Sequence, residues 1–263
     1  MSPTNGQSYL VQYFERARFE YHPEHANTPY VILLGLLGRE QYFAKNPADL
    51  RFPTVYTDDF SDTGRWPTTK TGETATGYAN GRYVMSAAGN TLVSNKLSVE
   101  THVALPGIPA PGGGTRTLDE VRIAVDATPT AAGGSSYGLS CRTQGDTIRY
   151  TATVSLLFPQ QGPVYGASIA VYPAPGQAGK TLAEVKLANG VIALNQTARL
   201  QFTCAGPNLT LSVNGAIVAR AQDYTLTAGG FGFEAGDFAS GAGAGAASGL
   251  TVAFDNLAVD SWK

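Results

Sequence analysis

Charge, sulfur and long apolar runs are all scarce in this chain. Only 14% of its 263 residues are Asp, Glu, Lys or Arg, which excludes charge-driven disorder. No uninterrupted apolar stretch reaches the roughly 18–20 residues a membrane helix requires, so no membrane span is expected. The formal charge of -2, from 18 basic and 20 acidic residues, gives no long-range attraction toward polyphosphate, and nucleic acid is not an expected partner. Catalytic signatures are also missing. There is no G-x-S-x-G elbow, no Ser/His/Asp order and no E-x-D-x-x-E carboxylate set. Glu120 and Asp126 lie roughly 20 Å apart along a strand, too far to share a glycosidic bond. His22-Pro23-Glu24-His25 has the wrong spacing for a zinc helix and reads as a turn. Pro111 to Thr115 (PGGGT) precedes no lysine and opens no helix, so it reads as a hairpin loop rather than a phosphate cradle. His102 reads as a strand surface residue. MSPTNGQSYL shows no basic region followed by an apolar one, which suggests a mature fragment.

What the chain does have is Gly 31, Pro 15 and Tyr 13, the residues of turns and half-buried strands. Residues 7–25 alternate like two strands of a hairpin, and Thr28-Pro29 followed by VILLGLL predicts a short helix or buried turn. Ala44 to Pro53, with two prolines and little periodicity, reads as a linker, dividing a module at 1–53 from a domain at 54–263. From Val55 onward, short alternating runs recur every ten to fifteen residues between Gly, Pro, Asn and Asp. The expected fold class is all-β, a two-sheet antiparallel jelly-roll sandwich. Asn214-Gly215 is the strongest hairpin signal, and Ser240 to Gly249 (SGAGAGAASG) reads as a mobile loop between the last two strands.

The two cysteines sit in alternating segments. Tyr137, Leu139 and Cys141 share one face, as do Ala198, Leu200, Phe202 and Cys204, so both thiols point into the core. They are either a disulfide or two small buried hydrophobes, and low Lys with high Gly, Thr and Tyr favours the disulfide of an extracellular protein.

A glycan site needs aromatic surface ringed by groups that fix hydroxyls. Parity sets Arg142 opposite Cys141, and Arg149 opposite Ile148, Tyr150, Ala152 and Val154, so both guanidinium groups are expected on an outer, concave sheet. Trp66, Tyr165 and Tyr172 fall at strand ends or loops, where they could line a groove or, more blandly, fill a core.

Two resemblances sharpen these expectations. Val11 to Glu40 (VQYFERARFEYHPE through TPYVILLGLLGRE) resembles a module of secreted and surface proteins of filamentous green bacteria, here without its preceding FG-P segment. DDFSDTGRW (Asp58 to Trp66), NGRYVM, YGLSCR, LTLSVNG, GGFGFEAG and VAFDNLAV, in that order, resemble the concanavalin A-like lectin/glucanase superfamily, in its laminin G-like branch with 3-keto-disaccharide hydrolase-like domains. That resemblance implies N- and C-terminal strands that pair, and a structural calcium held by carbonyls and a carboxylate of the last strand, with Asp255, Asp58 and Asp59 as candidates. The competing role for these carboxylates is to cap turn amides. The expected function is a non-catalytic extracellular domain binding polysaccharide or glycoprotein. A structural subunit self-associating through its strands and a glycoside hydrolase-like enzyme are the alternatives.

Overall fold

The computed structural model describes residues 10–13, 18–21, 23, 26, 31–35, 53–87, 98–105, 107–109, 114–131, 135–145, 147–157, 164–238 and 249–262. The chain divides into two compact units, Met1–Arg51 and Phe52–Lys263.

In the first unit, β1 (Leu10–Tyr13), β2 (Arg18–Tyr21) and β3 (Ile32–Gly35) form an antiparallel sheet in that order. The hairpin follows its alternation, but the segment expected as a helix contributes a third strand, with Ile32 opposite Tyr21 and Leu34 opposite Phe19. A short apolar run does not distinguish helix from strand by periodicity, and β2 supplies a partner along its whole length. Of the His22 to His25 turn only Pro23 is described, accepting a bond from the Ala26 amide.

The second unit is a sandwich. Its strands are β4 (Thr54–Asp58), β5 (Thr69–Lys70), β6 (Thr74–Ala79), β7 (Arg82–Ala87), β8 (Ser98–Leu105), β9 (Ile108–Pro109), β10 (Thr115–Arg116), β11 (Glu120–Ala131), β12 (Ser135–Gln144), β13 (Ile148–Leu157), β14 (Val164–Tyr172), β15 (Lys180–Lys186), β16 (Ala198–Ala205), β17 (Asn208–Val213), β18 (Ala216–Gln222), β19 (Gly230–Phe238) and β20 (Leu250–Trp262). One sheet has nine strands, β18-β17-β16-β11-β20-β7-β6-β5 with β4 also on β20; the other has six, β15-β14-β13-β12-β19-β8. The first and last strands of the unit pair, with Tyr56 opposite Val259. The short β9 and β10 pair across the PGGGT segment, of which residues 111–113 lie outside the described residues. Residues 240–248 of the Gly/Ala tract lie outside them too.

Alternation builds the core. Tyr137, Leu139 and Cys141 of β12, Tyr150, Ala152 and Val154 of β13, and Phe231 and Phe233 of β19 are fully buried on the inward face of the six-stranded sheet. Val121, Ile123 and Val125 of β11, Phe202 of β16 and Phe254 of β20 meet them from the nine-stranded sheet, Phe233 stacking on Phe254 at 4.5 Å. A Cys141–Cys204 disulfide ties the sheets together across 63 residues of chain. In the chain-entropy model such a loop contributes about 4 kcal/mol. Asn214 (φ 50°) and Gly215 (φ 82°) make the tight β17–β18 turn that their sequence announces.

Candidate functional site

With apolar residues turned inward, the other face of the six-stranded sheet is made of what lies between them. Across its middle strands these outward residues are small: Ser136, Gly138 and Ser140 on β12, Thr151, Thr153 and Ser155 on β13, Gly166, Ser168 and Ala170 on β14, and Gly232 and Gly236 on β19. Surface positions of such size are ordinarily wet, yet Ser140, Ser136 and Thr151 are buried, and every residue of β12 from Ser135 to Thr143 is buried on both faces. The outward side of β12 is therefore shielded from solvent. A Cβ at Gly138 would fall 2.1 Å from the Ala152 carbonyl oxygen, and one at Gly232 would fall 2.1 Å from that of Val103. Glycine is required there by close backbone approach.

Four larger side chains stand on this floor. His102 of β8 lies directly opposite Glu234 of β19, and Arg149 of β13 is opposite Tyr172 of β14. Arg149 grips Glu234 with two bonds, Nε to Oε1 at 2.8 Å and Nη2 to Oε2 at 3.1 Å, and its guanidinium lies over the Tyr172 ring at 4.5 Å. His102 Nε2 is 3.5 Å from Glu234 Oε1 and 3.2 Å from Ser140 Oγ. Burial pushes the Glu234 carboxyl up to about 7, against the opposing pull of Arg149 and the Ser140 hydroxyl. Beside the cluster, the Thr153 and Ser168 hydroxyls bond to each other at 2.9 Å. Ser140, His102 and Glu234 do not form a nucleophilic triad. A triad acid holds the ring nitrogen remote from the serine, whereas here serine and carboxylate converge on the same Nε2. The arrangement is a buried ion pair with an adjoining imidazole over a hydroxyl-bearing floor, suited to hydrogen bonding a polyhydroxyl ligand.

No family model and no curated protein sequence matches the chain. Solved structures do. An endo-acting O-glycanase of the human gut microbiota that initiates mucin breakdown is 11% identical, with a TM-score of 0.55 over 80% of this chain and 100% of that one. A Bacillus licheniformis β-glucanase is 11% identical, with a TM-score of 0.52 over 80% and 99%. An alginate lyase in complex with an alginate trisaccharide is 14% identical, with a TM-score of 0.51 over 81% and 100%. The fold is an antiparallel jelly-roll sandwich. At these identities the likeness establishes the fold alone.

Of the residues expected to line a jelly-roll groove, Arg149 and Tyr172 are on the outward face and in contact; the others are elsewhere. Trp66 is buried among Phe60, Tyr83 and Phe233, and its Nε1 donates to Asp58 Oδ2 at 3.1 Å. Tyr165 is on the inward-facing row of β14 and packs on the core. Arg142 stands at a bulge with φ 51°, which turns its side chain off the sheet face to donate to the carbonyls of Asp119, Gly206 and Leu226. Parity fails for Arg142 because one extra residue reverses it.

The three carboxylates proposed for calcium do not converge. Asp58 accepts from the Phe60 amide, the Tyr56 hydroxyl and Trp66, so its oxygens are taken. Asp59 caps the Ser61 amide, and Asp255 caps the Asn256 amide while facing Arg82 at 3.5 Å. Calcium wants six to eight converging oxygens, and no group of three or more His, Cys, Asp or Glu able to hold a metal occurs among the described residues. These three carboxylates therefore do not gather into one donor set.

Sequence reasoning missed Glu234 and Ser140, and it treated His102 as a strand surface residue, whereas the His102 side chain is only 8% exposed. The signal existed. Glu234 is the one charged residue in GGFGFEAG and alternates against Phe231, Phe233 and Ala235, so it had to leave the core on the same face as Gly232 and Gly236.

Proposed function

We propose that the Phe52–Lys263 unit is an extracellular glycan-binding domain whose site is the outward face of the six-stranded sheet. The observation that supports this best is the Arg149–Glu234–His102–Ser140 cluster standing on a buried floor of Gly, Ser and Thr. Polar groups in that setting are held rigid, so they meet sugar hydroxyls with little ordering cost. That an O-glycanase and a β-glucanase share the fold supports a carbohydrate ligand, and the inter-sheet disulfide agrees with an oxidising compartment. Recognition rests on hydrogen bonds more than on an aromatic platform, because Tyr172 is already covered by Arg149. Calorimetric titration with an oligosaccharide panel tests it. A double variant, His102→Ala with Thr153→Ala, is expected to weaken binding at least about tenfold, roughly 1.4 kcal/mol. Thr128→Ala, on the other sheet, is expected to leave it unchanged. Equal affinity for all three proteins would refute the placement of the site.

One observation favours a catalytic alternative: a carboxyl brought near neutrality by burial is suited to general acid or base work. Long incubation with the same glycans separates the two. Release of new reducing ends or unsaturated ends, abolished by Glu234→Gln, would establish cleavage; intact chains support binding alone.

A further inference from the structure

A face that binds polysaccharide has to match the charge of its ligand, and here the charge is already internally matched. Among β8, β12, β13, β14 and β19, Arg149 is the single Lys or Arg on the outward face of the described residues, Arg142 being turned to backbone carbonyls. Both forks of a bidentate arginine–carboxylate contact are used, since Nε and Nη2 meet the two oxygens of Glu234. The imidazole beside them also faces Glu234. A uronic acid or sulfate ester would thus find its natural partner occupied by the protein's own carboxylate.

The periphery adds little. The lysines of edge strand β15, Lys180 and Lys186, are accompanied by Asp223 and Glu184. The strand ends Ser135, Leu157, Val164, Phe238 and Ser98 lie at one end of the sheet. The segments leaving them, residues 88–97, 132–134, 158–163 and 239–248, contain one charged residue, Lys96. An anionic polymer, whose carboxylates or sulfates repeat along the chain, needs cations repeated across the surface that holds it.

Resting on the glycan-binding reading above, we infer that this face selects neutral polysaccharide and excludes uronate and sulfated chains, with Glu234 acting as the internal occupant of the Arg149 fork. Specificity of this sort comes from the repulsive element as much as from the attractive one. Removing the negative charge at position 234 should leave the positive charge of Arg149 unbalanced on this face.

Affinity electrophoresis of the full chain tests this, using gels loaded with mixed-linkage β-glucan, galactomannan or fructan as neutral probes and with alginate, polygalacturonate or κ-carrageenan as anionic ones. In gels buffered at about pH 8.5, where Glu234 is ionised, the expected result is retardation by at least one neutral polymer that is unchanged between low and high salt, with every anionic polymer at least about tenfold weaker. Glu234→Gln is expected to gain salt-sensitive retardation in alginate or polygalacturonate. Where that variant does not fold, the wild-type comparison stands by itself. Wild-type retardation by an anionic polymer that fades as salt rises would overturn the inference while leaving glycan binding intact. Retardation by none of the six would overturn the glycan reading and the inference with it.

Discussion

Arg142 departs from what alternation prescribes, while Glu234 follows it. Both are ionisable groups that are largely buried, and each is compensated differently. Glu234 keeps its proton in the folded state to higher pH than in the unfolded chain, so the folded form binds more protons between about 4.5 and 7. Stability attributable to this carboxyl is full below the lower value and is lost as pH rises through the upper one, a fall of roughly 3 kcal/mol. Urea denaturation at a series of pH values should show that decline in the wild type and a flatter profile in Glu234→Gln, whatever the absolute stability of the variant. Arg142 serves three backbone carbonyls from a left-handed conformation, and Arg142→Ala is expected to cost about 3 kcal/mol or more by stranding them. Arg142→Lys should rescue little, because one ammonium cannot span what a planar fork reaches. A shift in urea midpoint with unchanged m-value reads out both. The outward place of Glu234 was legible in its alternation with Phe231, Phe233 and Ala235, whereas the role of Arg142 was not. Arg142 looked like an outward strand residue until a bulge reversed it, and a bulge leaves no mark in YGLSCR.

At the scale of elements the sequence was far more informative. Inward rows such as Tyr137-Leu139-Cys141 and Ala198-Leu200-Phe202-Cys204 could be drawn from alternation because each strand has one apolar face and one polar one. The same rows turned both cysteines into the core, and reducing the Cys141–Cys204 bond should lower stability by about 4 kcal/mol, checked by denaturation with and without reductant. Asn214→Ala should cost about 1–2 kcal/mol, since alanine tolerates φ 50° poorly and the Arg199 amide loses its side-chain acceptor; Asn214→Gly should cost less. Strand β6 escaped notice because TATGYA offers no apolar alternation, although Asn80-Gly81, both at positive φ, marks the turn that joins it to β7. Strand β20 runs on to Trp262 because β11 offers Glu120 as a partner that far. Ile32–Gly35 became a strand rather than a helix for the same reason: a partner edge decides what a short apolar run leaves open.

For the molecule as a whole, the two sheets divide the work. The nine-stranded sheet turns outward a set of ion pairs that neutralise one another, Arg122 with Asp260 and Arg199 with Asp126, and these knit its strands together. The six-stranded sheet turns outward a floor of small residues with one charged cluster at its centre. In the other unit, Leu10, Tyr21 and Ile32 form an exposed apolar row across three strands, as a self-associating hairpin sheet would, and light scattering on a concentration series would reveal any such assembly. Ligand binding at the six-stranded face is tested most directly by backbone-amide NMR of the isotopically labelled chain, titrated with a neutral oligosaccharide that retards it in gels. Shifts concentrated at His102, Ser140, Thr151, Thr153, Ser168 and Glu234 are predicted; shifts centred instead on Arg122, Asp126 and Arg199 of the opposite sheet would contradict it.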